Sequence, residues 1–347
     1  MLLPLTNRGL ARPWASLRNA LNPPKASPVN RRTVPILPLL VLGFAALVTW
    51  PTPLQAGALF IPNASFESPI VPPVNPYAEP DMDAWQKSPQ PAWYDPSQNF
   101  DTPWEDLMGT FYNVPYPSTF IDDCDGSQAA FLFALPDVAL FQDYNSVSGT
   151  NTVPTHAFNA KFNTDNAYTL TLGVMGGVDG SPPLYIGATL QLSLYYRDAS
   201  SNMVTVASIT ITNSVQLFPT NTHLVDFSVY VPGVRANDPW AGQNIGILIA
   251  STVGFDKANG YWDIDNARLT ETALPALTEP QVMSSQCGFT LQSQPGLRFE
   301  VLASTNLALP LSNWTSLGTL TNVTGAIPFL DPAANLSRRF YRARQLP

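Results

Sequence analysis

Hydrophobic and polar residues alternate along much of the chain between residues 60 and 271. The clearest run is 187–196, where Leu190, Leu192, Leu194 and Tyr196 interleave with Gln191, Ser193 and Tyr195. A period of two sends one set of side chains to a buried face and the other to water, the pattern of a half-buried antiparallel strand. Similar runs cover 129–133, 168–173, 204–211, 224–231, 245–250 and 261–269. Asp-Ala-Ser-Ser-Asn at 198–202 reads as the turn of a hairpin. No window of a dozen residues keeps a helical period. About 210 residues of short strands in one unit predict an all-β fold, an antiparallel β-sandwich of jelly-roll type.

A second set of short strands, at 288–292, 299–304, 314–321, 326–330 and 340–344, follows a proline-bounded stretch at 273–280 that reads as a linker. The expected organisation is therefore a leader at 1–58, a large β domain at 59–272, the linker, and a small β module at 281–347. The last of these is near the minimum for an independent core, and a fibronectin-like or immunoglobulin-like sandwich is the simplest solution.

Charge sharpens these boundaries. The 347 residues hold 17 Lys and Arg against 25 Asp and Glu, a net of -8, and only 12% are charged. Residues 1–58 carry six basic residues and no acid; residues 59–272 carry six basic residues and 22 acids, a net of -16; residues 280–347 carry five basic and two acidic, a net of +3. An acidic central domain repels phosphate, which excludes broad nucleic-acid binding. At the front, Arg31-Arg32, an apolar run from Val34 to Trp50 and Ala56-Gly57-Ala58 make up a secretory signal, with cleavage expected after Ala58 and Ala56 as the alternative. An uncleaved membrane helix is the competing reading, and Pro35, Pro38, Pro51 and Pro53 shorten it. The mature chain is thus expected to be secreted or held at the cell surface, without a membrane span. Cys124 and Cys287 fall in different expected domains, and both a bridge and two weakly reactive thiols stay open.

Four segments of the large domain resemble, in order, the galactose-binding-like jelly rolls found as carbohydrate-binding modules of secreted glycoside hydrolases. They are Ile61-Pro62-Asn63-Ala64-Ser65-Phe66-Glu67, Asp125 to Leu132, Ala167-Tyr168-Thr169-Leu170-Thr171, and Tyr261-Trp262-Asp263-Ile264-Asp265-Asn266-Ala267-Arg268-Leu269. The same fold also supports some secreted cyclases. The resemblance implies a structural calcium ion near Glu67, Asp123, Asp125 and Asp265, chemistry that suits a cation seeking six to eight hard oxygens. The alternative is that these acids only solvate a turn and accept turn amides.

Residues 71–120 contain ten prolines and ten aromatic residues, a run too long for an ordinary connection. Stiff proline-rich backbone can hold rings outward, and sugar faces stack on rings. Trp85, Trp93, Tyr94 and Trp104 are the candidate carbohydrate contacts; the other reading is that they anchor the loop as a satellite core. Catalytic motifs are absent: there is no G-x-S-x-G, H-E-x-x-H or P-loop, and His156 and His223 read as structural. With 22 acids, some carboxylate pairs fall at glycosidase distances by chance. In the small module, Trp314 is expected to face Phe340 or Tyr341, and Arg338, Arg339, Arg342 and Arg344 to form a basic face, either an attachment surface or a charged edge strand.

The expected function is non-catalytic binding of a polysaccharide or another cell-surface polymer. The alternatives are a glycan-active hydrolase or lyase or a cyclase-like enzyme on the same sandwich, and a structural or adhesive surface protein.

Overall fold

The computed structural model describes residues 56–74, 77–98, 101–113, 121–149, 151–176, 183–220, 222–283, 286–331 and 338–346. The expected leader lies outside them except for its last three residues. The strands of the large unit begin with β1 (Gly57–Leu59), β2 (Ala78–Glu79), β3 (Gln86–Lys87) and β4 (Met108–Tyr112). Next come β5 (Gln128–Phe133), β6 (Ala139–Gln142), β7 (Asn166–Met175) and β8 (Thr189–Arg197). The unit closes with β9 (Met203–Thr212), β10 (Val225–Val231), β11 (Gly246–Ser251) and β12 (Tyr261–Ala273).

These strands form two antiparallel sheets. The larger has the order β10-β7-β12-β5-β4-β2, and the smaller β3-β6-β11-β8-β9. Along one side of β12, β5 pairs with Tyr261–Ile264 and β1 pairs with Leu269–Glu271. The alternation seen in the sequence now has a direction. Leu170, Leu172 and Val174 of β7 and Trp262 and Ile264 of β12 meet Leu190, Leu192 and Leu194 of β8 and Ile247 and Ile249 of β11 in one buried cluster. Each such aliphatic side chain stabilises the fold by about 1.5–3 kcal/mol relative to exposure. The 198–202 turn forms as read: Asp198 Oδ1 accepts the amides of Ser200 and Asn202, both at 2.9 Å, and Arg197 pairs with Met203.

The small unit contains β13 (Ala276–Met283), β14 (Gln286–Gln292), β15 (Arg298–Ser304), β16 (Thr315–Thr321), β17 (Ala326–Asp331) and β18 (Phe340–Leu346). Two three-stranded antiparallel sheets, β13-β14-β17 and β16-β15-β18, make it a second sandwich. The expected linker is corrected here, because most of it is β13. Pro280 is tolerated there because the ladder with β14 breaks between Thr278 and Gln281, where Glu279 takes a left-handed φ of 52°; a bulge asks for no amide from proline. The ring facing Tyr341 is also corrected. Phe289 lies 5.3 Å from Tyr341 and 5.1 Å from Phe329, while the Trp314 indole turns back to the Leu309 carbonyl. Arg339 leaves the expected basic face and pairs with the buried carboxylate of Asp331 at 3.1 Å.

The larger sandwich ends later than the alternation suggests. Ala273 still pairs with Asn166, the Leu274 amide donates to Asp165, and the Leu274 side chain fills the space above Gly233, where a Cβ would stand 2.1 Å from its Cδ1. A chain truncated after Pro275 is expected to unfold cooperatively. One truncated after Thr272 should melt about 3–6 °C lower, having lost this last pair and cover. Calorimetry on the two truncations decides; equal melting temperatures would place the boundary before Ala273.

Candidate functional site

The proline-rich insertion lies against the sandwich and turns most of its rings inward. Trp85, Tyr94 and Trp104 are buried in the main core. Each has its polar tip satisfied: Trp85 Nε1 donates to the Asn63 carbonyl at 3.0 Å, Trp104 Nε1 to Ser88 at 2.7 Å, and Tyr94 Oη to Thr102 at 2.9 Å. These three of the four expected ligand contacts present no face to solvent. A loop of that length gains more from burying 150–250 Å² per ring than from displaying it.

Trp93 is the exception, at 40% exposed. Its Nε1 donates to Asp137 Oδ2 at 2.9 Å, and its ring meets Tyr94, Trp104 and Phe255 edge to face at 5.8, 5.9 and 5.0 Å. Phe255, at 68% exposed, extends the surface. It comes from the β11–β12 loop, 162 residues further along the sequence. Asp137 belongs to the β5–β6 turn, and Asn259 ties the β11–β12 loop to Pro183 before β8. Four connections therefore meet at one end of the sandwich, and three of them contact the indole. Sequence reading missed Phe255, whose one signal was a lone large apolar residue in a polar Gly-Phe-Asp loop.

Three of the four acids expected around calcium gather at the 121–128 loop. Glu67 accepts the amides of Ser127 at 2.8 Å and Gln128 at 2.7 Å, and its other oxygen accepts the Ser127 hydroxyl at 2.9 Å. Asp265 accepts the Asp125 amide and its own neighbour's, Asn266, each at 2.7 Å; Asp125 accepts Ser65 Oγ at 2.7 Å. Asp123 turns away to the Leu224 amide at 2.9 Å. These oxygens meet N–H and O–H donors, and among the described residues no three acidic, His or Cys side chains converge on a point a metal could occupy. As arranged, the oxygens of Glu67, Asp125 and Asp265 are engaged by these donors as a knot of anionic acceptors. Cys124 sits inside the knot, its Sγ donating to the Gln128 carbonyl at 3.0 Å, and burial beside Asp265 pushes its thiol well up. Cys124 and Cys287 are both unbridged.

The outer face of the larger sheet carries a second carboxyl, on alternate residues of β12. Asp263 pairs across the ladders with Phe131 of β5 and Met175 of β7 and is buried, with Oδ1 lacking any hydrogen-bond partner among the described residues. Burial alone pushes it up to about 8. Burial also pushes Asp265 up, to about 7, although the amides of Asp125 and Asn266 pull the other way. Tyr261 beside Asp263 rises to about 12 through its own burial and that charge. The two histidines keep local partners: His156 stacks on Tyr144 at 4.0 Å, and His223 Nδ1 lies 3.1 Å from Asp122.

No family model matches the chain, and no curated protein matches it. Among solved structures, a cyclase from Fischerella sp. TAU superposes with a TM-score of 0.45 and 19% identity, over 64% of this chain and all of that one. The C-terminal family 22 carbohydrate-binding module of Clostridium thermocellum Xyn10B gives 0.30 and 12%, over 60% of this chain and 92% of the module. An arabinose-bound α-L-arabinofuranosidase gives 0.34 and 10%, over 62% of this chain and 26% of the enzyme. All lie below 25% identity and a TM-score of 0.5, so the function has to be argued from this chain's own residues.

The buried carboxyls make stability depend on pH. An Asp263 carboxyl ionises near 3.8 when the chain is unfolded and near 8 when folded. The unfolded state therefore releases its proton first, and stability falls as pH rises from about 4 to about 8. Asp263→Asn should abolish most of that loss, raising the melting temperature at pH 8.5 by at least about 3 °C while changing little at pH 4. A uniform shift at both pH values would show that the carboxyl does not titrate in this range.

Proposed function

We propose that the chain is an exported, non-catalytic binding protein that holds a polysaccharide or another cell-surface polymer against the Trp93–Phe255 face. The observation that carries this reading is a part-exposed indole held by one hydrogen bond and three edge-to-face ring contacts, since a ring so restrained loses little entropy when a sugar face stacks on it. Asp137, already a hydrogen-bond acceptor at the ring edge, lies where a stacked ring would present hydroxyls. With 22 acids against six basic residues in 59–272, a neutral polymer suits this surface better than a polyanion.

Export is part of the same proposal. The basic and apolar leader leads into β1, whose Gly57, Ala58 and Leu59 pair with Glu271, Thr270 and Leu269. Cleavage after Ala58 would remove two of these three residues, whereas cleavage after Ala56 keeps the strand whole. The second site is therefore the better fit. No described helix is long and apolar enough to cross a membrane.

An enzyme is the second reading, and a single feature favours it: the buried Asp263 with an unpaired oxygen beside Phe131 and Tyr261. A carboxyl kept protonated at neutral pH is able to donate a proton, as a glycan-active hydrolase or lyase, or a cyclase, would require. Release of reducing ends from a polysaccharide panel by the natural chain and not by Asp263→Asn would favour it over binding.

Two outcomes are expected of the leading reading. N-terminal sequencing of the exported protein should begin at Gly57; a start at Met1 would remove the leader from the account. Trp93→Ala should weaken retention on an insoluble neutral polysaccharide about tenfold or more, as loss of a central aromatic contact does, while the variant still unfolds cooperatively at a somewhat lower melting temperature because its edge-to-face contacts are lost. Trp104→Ala, which opens the core, should instead unfold the loop. Undiminished retention by the Trp93 variant would end the platform reading.

A further inference from the structure

The small unit carries a charge pattern that the Trp93 face leaves unused. Between 280 and 347 the basic residues are five arginines and no lysine, and the only acids are Glu300 and Asp331. Asp331 is buried and takes Arg339 at 3.1 Å and Tyr341 Oη at 2.9 Å, so these charges are spent inside the module. The other four arginines, at 298, 338, 342 and 344, are all exposed.

Strand register places these four on one face. Alternate residues of a strand share a side, and Tyr341 turns inward to Phe289 of the opposite sheet, so Phe340, Arg342 and Arg344 of β18 face outward. On β15 the inward residues are the buried Phe299 and Val301, which puts Glu300 and Arg298 on the outer side, opposite Arg344 and Leu346. Arg338 precedes β18, with its guanidinium 5.5 Å from the Phe340 ring centroid. The Cα atoms of Arg342 and Arg344 stand about 6.5 Å apart along the strand, and Arg298 lies diagonally beyond Arg344 at about 7–8 Å. Four guanidinium groups thus form an oblique track across the sheet. Glu300, the one acid on this side, is bonded to Arg344, and among the described residues Arg298 and Arg342 have no ion-pair partner. Edge protection does not account for the track, because Arg298 lies on β15, the central strand between β16 and β18.

We propose that this face is a second binding site, for an acidic polysaccharide whose carboxylates repeat along the chain. A guanidinium fork donates two parallel N–H bonds to a planar carboxylate, and successive carboxylates meet successive arginines. Thr319 and Thr321 of β16, opposite Glu300 and Arg298, expose hydroxyls beside the track for the sugar rings. A nucleic acid is disfavoured because the one ring on the face, Phe340, already has Arg338 over it and offers a base nothing to stack on. A bilayer is disfavoured because the apolar side chains on this face, Leu302, Phe340 and Leu346, are buried or half-buried and cannot insert. The negative field of the larger unit does not cancel the track, since salt screens it within about 8–10 Å. This site stands independently of the Trp93 face and takes a polymer of the opposite charge class.

The test is calorimetric titration of the full chain with polygalacturonate, beside single-stranded DNA and phosphatidylserine vesicles. Polygalacturonate should lose about tenfold or more in affinity between about 10 mM and about 150 mM salt. The double variant Arg298→Gln, Arg342→Gln should weaken it about fivefold or more. Neither side chain has an ion-pair partner to lose, so that variant should melt within about 2 °C of the natural chain. Undiminished binding by the double variant, or affinity indifferent to salt, would overturn the proposal. So would absence of polygalacturonate binding at low salt, or tighter binding of the DNA or the vesicles. Trp93→Ala should keep polygalacturonate binding, and the double variant should keep retention on a neutral polysaccharide. Loss of polygalacturonate by Trp93→Ala would remove this site, whereas failure of the neutral polymer alone would leave it standing and end only the platform.

Discussion

Thirteen residues from Tyr261 to Ala273 pair with three other strands, at Asp263–Ile264 and Leu269–Glu271 on both sides at once, and the ends of the large sandwich meet on them. Strand β12 takes β7 along one side and β5 followed by β1 along the other, so the first and last strands of the unit are neighbours. Its inward residues, Trp262 and Ile264, are fully buried. The ladder with β7 breaks between Asp265 and Arg268, where Asn266 adopts a φ of 55°. That bulge frees Asp265 to accept the Asp125 amide, 140 residues away in sequence. Glu67 closes the same loop from the other terminus. A single irregular strand thus organises the core, the chain ends and the acidic loop.

Strands that alternate strongly were legible because local pattern and tertiary burial agree in them. Leu190, Leu192 and Leu194 point inward as the period of two requires. The short strands escaped for the opposite reason. Those at Ala78–Glu79 and Gln86–Lys87 are two residues long, too short to hold a period, and exist because a neighbouring strand offers an open edge. Pro275 and Pro280 mimicked a linker because proline marks loops and bulges alike, and only the pairing partner of β13 separates the two.

The candidate site was less legible, since ring content is visible in a sequence and the direction of a ring is not. Trp85, Trp93 and Trp104 have similar surroundings in sequence, yet only Trp93 remains in solvent, because its neighbours Tyr94 and Trp104 already occupy the space beneath it. Phe255 lies on another connection, and its meeting with Trp93 depends on sheet order. Glu67 and Asp265, from the first and last of those strand motifs, come together at the 121–128 loop, where each accepts backbone amides.

That role follows from a shortage of cations. With six basic residues for 22 acids between 59 and 272, few carboxylates can find an ion-pair partner. Backbone amides are the donors left in number, and Glu67, Asp123, Asp143, Asp198, Asp238 and Asp265 each accept at least one. Such bonds are local, directional and charge-assisted, and they order turns in a chain that has no disulfide among its described residues. They leave the surface strongly negative, because a peptide N–H carries no compensating charge. A surface of that sign repels acidic polymers at distances of about 8–10 Å and leaves neutral ones unaffected. The means by which the loops are held therefore also narrows what they can bind.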